Sequence, residues 1–126
     1  ELFTEEDLVP DTTKGYMNIP DGELPKFKEG RFADFPDFRL AVRHWMAYNA
    51  GIGNQGYAEG NVSVSFTVGK DGKVRGAKVE NRETISSELE LAALDAIKRL
   101  PEFISATRNG KSVAFRMTVA LRFENR

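Results

Sequence analysis

The chain has 126 residues, 40% of them apolar and 10% aromatic, enough for one domain with its own core and a short further segment. A formal charge of -1 offers no basic field to nucleic acid or acidic lipid, and the absence of cysteine excludes disulfides, thiolate metal sites and thiol catalysis. No run approaches the roughly 20 apolar residues that span a bilayer and no basic-then-apolar leader is present, so a chain that opens on Glu1 and has its first methionine at Met17 reads as a fragment or mature form whose anchor, if any, lies outside it.

Residues 1–33 carry Pro10, Pro20 and Pro25 with Gly15, Gly22 and Gly30 among many charges, and no period of 2 or 3.6 persists. They read as an extended arm, with Phe27 and Phe32 as anchors and Glu5-Glu6-Asp7 as a solvated carboxylate run. The domain proper is expected over 34–126. In "DFRLAVRHWMAYN" (37–49), Phe38, Ala41, Val42, Trp45 and Met46 recur at helical spacing; Asp34 or Asp37 caps the start and Pro36 suits the first turn. Gly51, Gly53 and Gly56 then break the pattern. A phosphate-cradling loop follows a strand and opens a helix, whereas these glycines follow a helix and precede a strand, so they read as a helix exit, with Gly51 near the left-handed cap position.

"GNVSVSFTVGKDGKVRGAKVEN" is a hairpin. Val62, Val64, Phe66 and Val68 alternate with Ser63, Ser65 and Thr67, Asp71-Gly72 makes the turn, and the parity change at Val74, Ala77 and Val79 predicts a bulge near Gly76. A calcium loop needs several spaced oxygen ligands and a late Glu, which Asp71-Gly72-Lys73 lacks. "SSELELAALDAIKRL" is a second helix with Ser87 and Glu90 as a capping box, a stripe of Leu89, Ala93, Ala96, Ile97 and Leu100, cations Lys98 and Arg99 in its last turn, and Pro101 as its stop. After a turn at Arg108-Asn109-Gly110-Lys111, Val113, Phe115, Met117, Val119, Leu121 and Phe123 share one face of a long last strand.

The expected fold is α+β: an antiparallel three-stranded sheet, made of the hairpin plus a C-terminal edge strand, with two helices packed on one face in the order α-β-β-α-β. The last strand is expected beside residues 61–69, which makes the first hairpin strand central. Phe38, Trp45, Phe66, Phe103 and Phe115 read as core. His44 stands alone, without the companions of a triad or a metal site. No nucleophile–base constellation appears, so no enzyme, cofactor, metal or small-molecule substrate is expected.

The order and spacing of these landmarks resemble the TonB C-terminal domain as it occurs in envelope proteins of Bacteroidetes-type bacteria. Gly60, Val62, Phe66, Val68, Asp71, Gly72 and Val74 fall as in that family's first hairpin. "LELAALDAIKRLPEF" is similar to its second helix, with Phe103 where the family has Trp. "RNGKSVAFRMTVALRF" is similar to its Asn-Gly-Lys turn and final strand, and "LPKFKEG" and "AYN" resemble its upstream segments, so the likeness runs over about residues 24–123. It implies a periplasmic location, an anchor in the inner membrane through a segment outside this chain, a link to the inner-membrane proton-channel complex, and a grip on extended segments of outer-membrane TonB-dependent transporters. The family's Tyr-Pro pair after the first helix has no counterpart in "NAGIGNQGYAEG", where Tyr57 is a loose stand-in. A stand-alone interaction or sensory domain of another envelope protein, without energy coupling, is the alternative.

The candidate partner-binding site is the edge strand: Val113, Ala114, Phe115, Arg116, Met117, Thr118, Val119 and Ala120, with Tyr57 as a further contact. An edge offers unpaired N–H and C=O groups to an added strand. Residues 114, 116, 118 and 120 would line the docked peptide, and Arg116 would favour an acidic one. Outward-pointing Arg116 and Arg122 also fit an edge blunted against such pairing, or one paired in a homodimer.

Overall fold

The computed structural model describes residues 2–13, 15–35, 37–49 and 60–123. The strands and helices, in chain order, are β1 (Leu2–Thr4), β2 (Val9–Asp11), β3 (Tyr16–Asn18), β4 (Gly22–Glu23), β5 (Lys26–Phe27), α1 (Phe38–Asn49), β6 (Gly60–Val68), β7 (Val74–Val79), α2 (Ser87–Lys98), β8 (Phe103–Ile104), β9 (Ala106–Arg108) and β10 (Lys111–Phe123).

Both helices begin where a side chain satisfies their first amides. Asp37 Oδ1 accepts from the N–H groups of Arg39 (2.9 Å) and Leu40 (3.3 Å), which makes Asp37 the cap of α1. In α2 the cap is Ser86 and not Ser87: Ser86 is extended and its hydroxyl accepts from Leu89 N–H at 3.2 Å, so the expected Ser87–Glu90 box is not formed. Of the stripes read from spacing, Phe38, Ala41, Val42 and Met46 in α1 and Leu89, Ala93, Ala96 and Ile97 in α2 are buried, whereas Trp45, expected in the core, and Leu100 are only partly buried against it.

β7, β6 and β10 form the expected antiparallel core of the sheet, with β6 central. The predicted bulge is present. Ser65 pairs with Lys78 and Thr67 with Arg75, so three steps on β7 oppose two on β6, around Gly76 at φ 64°. The sheet has six strands, however, where three were expected: β1, β4 and β9 join it. Each is two or three residues long, too short to show a period in the sequence. β1 runs parallel to β10, with Leu2, Phe3 and Thr4 opposite Ala114, Phe115 and Arg116. β2 with β3 and β5 with β8 form two small separate ladders.

Backbone alternation fixes which side of β10 each neighbour takes. Asn109 and Gly110 have positive φ (52° and 78°), the two-residue hairpin turn that sets Lys111 against Arg108. Lys111 and Val113 therefore turn their N–H and C=O groups toward β9, and alternation sends those of Phe115 to Phe123 at every second residue to the same side. β6 meets them there. Ser63 N–H donates to Asn81 Oδ1 (3.0 Å) and Ser63 C=O accepts from Glu80 N–H (2.8 Å), both on the β7 side. Val62, Val64, Phe66 and Val68 are thus left to bond Leu121, Val119, Met117 and Phe115. So β9 and β6 lie end to end along one side of β10, and β1 takes the other.

α1 packs on β10, and α2 on β6 and β7. Between them and the sheet lie Val62, Val64, Phe66 and Val119, all fully buried; such a side chain contributes about 1.5–3 kcal/mol. Phe103, from β8, closes the end of this core. Its ring meets Phe27 edge-on at 4.8 Å and Phe38 at 5.0 Å, and its N–H donates to Gly72 C=O at 2.8 Å. The two aromatics expected to anchor the arm do so: Phe27 is buried and Phe32 is partly buried, 5.7 Å from it.

Candidate strand-docking edge

The same alternation that turns Phe115, Met117, Val119 and Leu121 toward β6 turns the backbone groups of Ala114, Arg116, Thr118, Ala120 and Arg122 the other way. β1 lies against Ala114 and Arg116. Beyond it, the N–H and C=O groups of Thr118, Ala120 and Arg122 face outward with no strand opposite them among the described residues. From Met117 to Phe123 this open edge runs for about 20 Å. The last strand is therefore an edge as expected, but only over its second half.

The eight residues predicted for the site divide accordingly. Val113, Phe115, Met117 and Val119 bury their side chains in the core. Ala114 and Arg116 are paired by β1, while Thr118 and Ala120 have open backbone. Arg122, not among the eight, belongs to the edge by the same period of two. Tyr57 lies outside the described residues, as do Pro36, Gly51, Gly53 and Gly56.

The Arg116 side chain does not project over the edge. It crosses the opposite, open face of the sheet, donating from Nη1 to Thr67 Oγ1 (2.9 Å) and from Nη2 to Ser65 Oγ (2.8 Å) and Gly76 C=O (3.2 Å). Ser65 Oγ donates in turn to Glu80 Oε1 at 2.8 Å. With its fork engaged by β6 and β7, Arg116 neither blunts the edge nor selects an acidic peptide there. Arg122 reaches Asn61 Oδ1 at 3.4 Å and stays exposed.

The carboxylate run of the arm is folded and helps to place β1. Glu5–Asp7 makes one 3₁₀ turn, Asp7 Oδ2 accepts from Thr4 N–H at 2.9 Å, and Glu5 pairs with Arg39 of α1 at 3.4 Å. Phe3 is buried, with the Arg108 guanidinium 4.9 Å over its ring. His44 is exposed on α1, its ring edge-on to Phe35 at 5.1 Å.

Asp71 holds the turn at the far end of the β6–β7 hairpin. Arg75 grips its carboxylate with Nη1 and Nη2, at 2.8 and 2.6 Å, and Lys73 N–H donates to it at 3.1 Å. The Arg75 hydrogen bonds first, then that of Lys73, hold the carboxyl well below the usual carboxylate range. A folded-state pKa below the unfolded value of about 3.9 contributes stability above that value, lost as the pH falls through the folded one. The contribution of so exposed a pair is small. Asp71→Asn is expected to unfold at lower urea than the parent at pH 7, with the difference narrowing as the pH drops below about 4. An equal difference in urea midpoint at pH 7 and pH 3 would remove the ion pair from the account.

The family described as Gram-negative bacterial TonB protein C-terminal matches residues 54–124, more than half of the chain. The chain belongs to the TonB C-terminal family. The match takes in β6 to β10 with α2, and begins after α1 and the arm, so residues 24–53 of the expected likeness fall outside it. No curated protein and no solved structure matches. TonB C-terminal domains are periplasmic protein-interaction modules of energy transducers that engage outer-membrane transporters.

Proposed function

We propose that this TonB C-terminal domain binds an extended segment of an outer-membrane transporter by adding it as a strand beside Thr118, Ala120 and Arg122, and passes energy for transport through that contact. The open second half of β10 is the observation that carries this reading. Main-chain pairing there asks little of the partner's sequence, because the side chains of Met117, Val119 and Leu121 face the core. In this reading the domain works from the periplasm, held to the inner membrane by a segment outside this chain and coupled there to the proton-channel complex. In the same reading residues 1–33 link that segment to the domain of residues 34–126 while lending β1 and β4 to its sheet. A second reading, an interaction or sensory domain without energy coupling, is favoured by the absence of a Tyr-Pro pair from "NAGIGNQGYAEG".

The test is a backbone NMR titration with extended peptides from the N-terminal plugs of outer-membrane transporters. Saturable shifts and new exchange protection are expected at Thr118 to Arg122. Ala120→Pro removes one outward N–H and no bond to β6, so the urea midpoint should hold while peptide affinity falls at least about tenfold. Binding that survives this substitution, or edge amides already protected in a protein that sediments as a dimer, would remove strand addition by a transporter.

A further inference from the structure

The sheet has a second free edge, on β7. Lys73 C=O accepts from Gly69 N–H at 2.9 Å, and Arg75 and Lys78 pair with Thr67 and Ser65 of β6. By alternation Val74 and Val79 direct their N–H and C=O groups away from β6, and no strand lies against them among the described residues. Alongside runs a groove of about 680 Å³. One wall is five successive residues of the strand edge, 73–77; the other is the C-terminal half of α2 and residues 100–102 after it. Five residues of extended chain span about 16 Å. The apolar lining, Val74, Ala77, Leu94 and Leu100, packs on the core but is only partly buried, so it stays open to an occupant.

The charges of the groove decide what fits. Lys73, Arg75 and Lys98 line it against the single carboxylate of Glu102. Asp71 holds Arg75 at 2.6 Å and Lys28 holds Glu102 at 2.7 Å. After Lys28, Lys73 lies near enough to Glu102 to favour its charged form, but neither Lys73 nor Lys98 is held in an ion pair among the described residues, so their ammonium groups can meet an occupant. Lysine and arginine on an edge repel basic strands and would lose hydration without compensation against neutral ones, which leaves acidic complementarity as the condition for pairing.

We propose that this groove takes an extended acidic segment of a second protein, added as a strand to the outer edge of β7. Alternate apolar side chains of that segment pack on Val74, Ala77 and Leu100, and its carboxylates reach Lys73 and Lys98. The site lies across the sheet from Thr118–Arg122 and is independent of the function proposed above, so the domain carries two strand-accepting edges with different charge preferences.

The probe is an end-blocked eight-residue peptide alternating Val and Glu, titrated into the labelled domain beside its Val and Lys counterpart. The Val–Glu peptide should shift and protect the amides of Val74 to Val79, and the Val–Lys peptide should not. Joint Lys73→Glu and Lys98→Glu, both surface changes, should weaken binding about tenfold, and Ala120→Pro should leave it unchanged, which separates this site from β10. Equal binding of the two peptides, shifts confined to Thr118–Arg122, or no shifts at all would overturn the proposal. So would protection of the β7 amides that grows with protein concentration alone, because the occupant would then be a second copy of this chain.

Discussion

Phe103→Ala is expected to destabilise the fold by about 3–5 kcal/mol. The side chain is 1% exposed and is the point at which four parts of the chain meet. Its ring lies edge-on to Phe27 of the arm and to Phe38 of α1, at 4.8 and 5.0 Å, the arrangement in which a ring edge meets a neighbour's negative face. Its backbone pairs with Phe27 in the β5–β8 ladder and donates to Gly72 at the tip of the β6–β7 hairpin. Alanine would remove both ring contacts and leave a cavity bounded by the Phe27 and Phe38 rings and by backbone already fixed by pairing, so the site has little freedom to collapse. Against a total of about 5–15 kcal/mol for an ordinary domain, that is a large share. Urea unfolding of the variant measures it; a loss below about 1 kcal/mol would mean that the arm and α1 repack without this ring.

Gly72→Ala is expected to rank second, at about 2–5 kcal/mol, with steric overlap added to backbone strain. Gly72 sits at φ 82°, and a Cβ there would fall on the carbonyl group of Phe103. That carbonyl belongs to a short strand and cannot swing away as a surface side chain would. Gly110 is the control. Its φ is 78°, yet nothing lies within 4 Å of a Cβ at that position, so Gly110→Ala should cost only about 1 kcal/mol. Thermal or urea unfolding of the two variants side by side tests the claim. Equal losses would show that backbone conformation alone, and not the approach of Phe103, makes glycine necessary at 72.

Phe103 as core and Gly72 as a turn residue were legible in the sequence, but the contact between them was not, and what was legible is a matter of length and distance. α1, α2, β6 and β10 are nine or more residues long, so their buried positions repeat often enough to reveal the period, and the parity change at Gly76 stood out against it. β1, β4 and β9 repeat nothing. Leu2–Thr4 joins the sheet through a parallel pairing with residues more than one hundred positions away, and such pairing leaves no local mark. The covered half of the edge at Ala114–Arg116 was therefore illegible, while the open half at Thr118–Arg122 followed from alternation. Arg116 was misread for another reason. Its position on the outward face was right, but a long flexible side chain can lie either way across a sheet, and the hydroxyls of Ser65 and Thr67 decide which. The cap of α2 slipped by one residue because Ser86 and Ser87 offer the same hydroxyl, and only the extended backbone at Ser86 tells them apart.

The parallel course of β1 also determines how the domain bears tension. β1 and the open edge at Thr118–Arg122 occupy the same side of β10, one ahead of the other along a single line. A pull between the N-terminus and an occupant of that edge therefore runs along the strand axis. Hydrogen bonds sheared along a ladder share the strain, whereas a ladder peeled from one end loses them singly. β10 acts as a tie bar of 13 residues, stitched to β6 along nine of them. The grip on β1 is only three residues long, so under load this contact is expected to yield before β10 does.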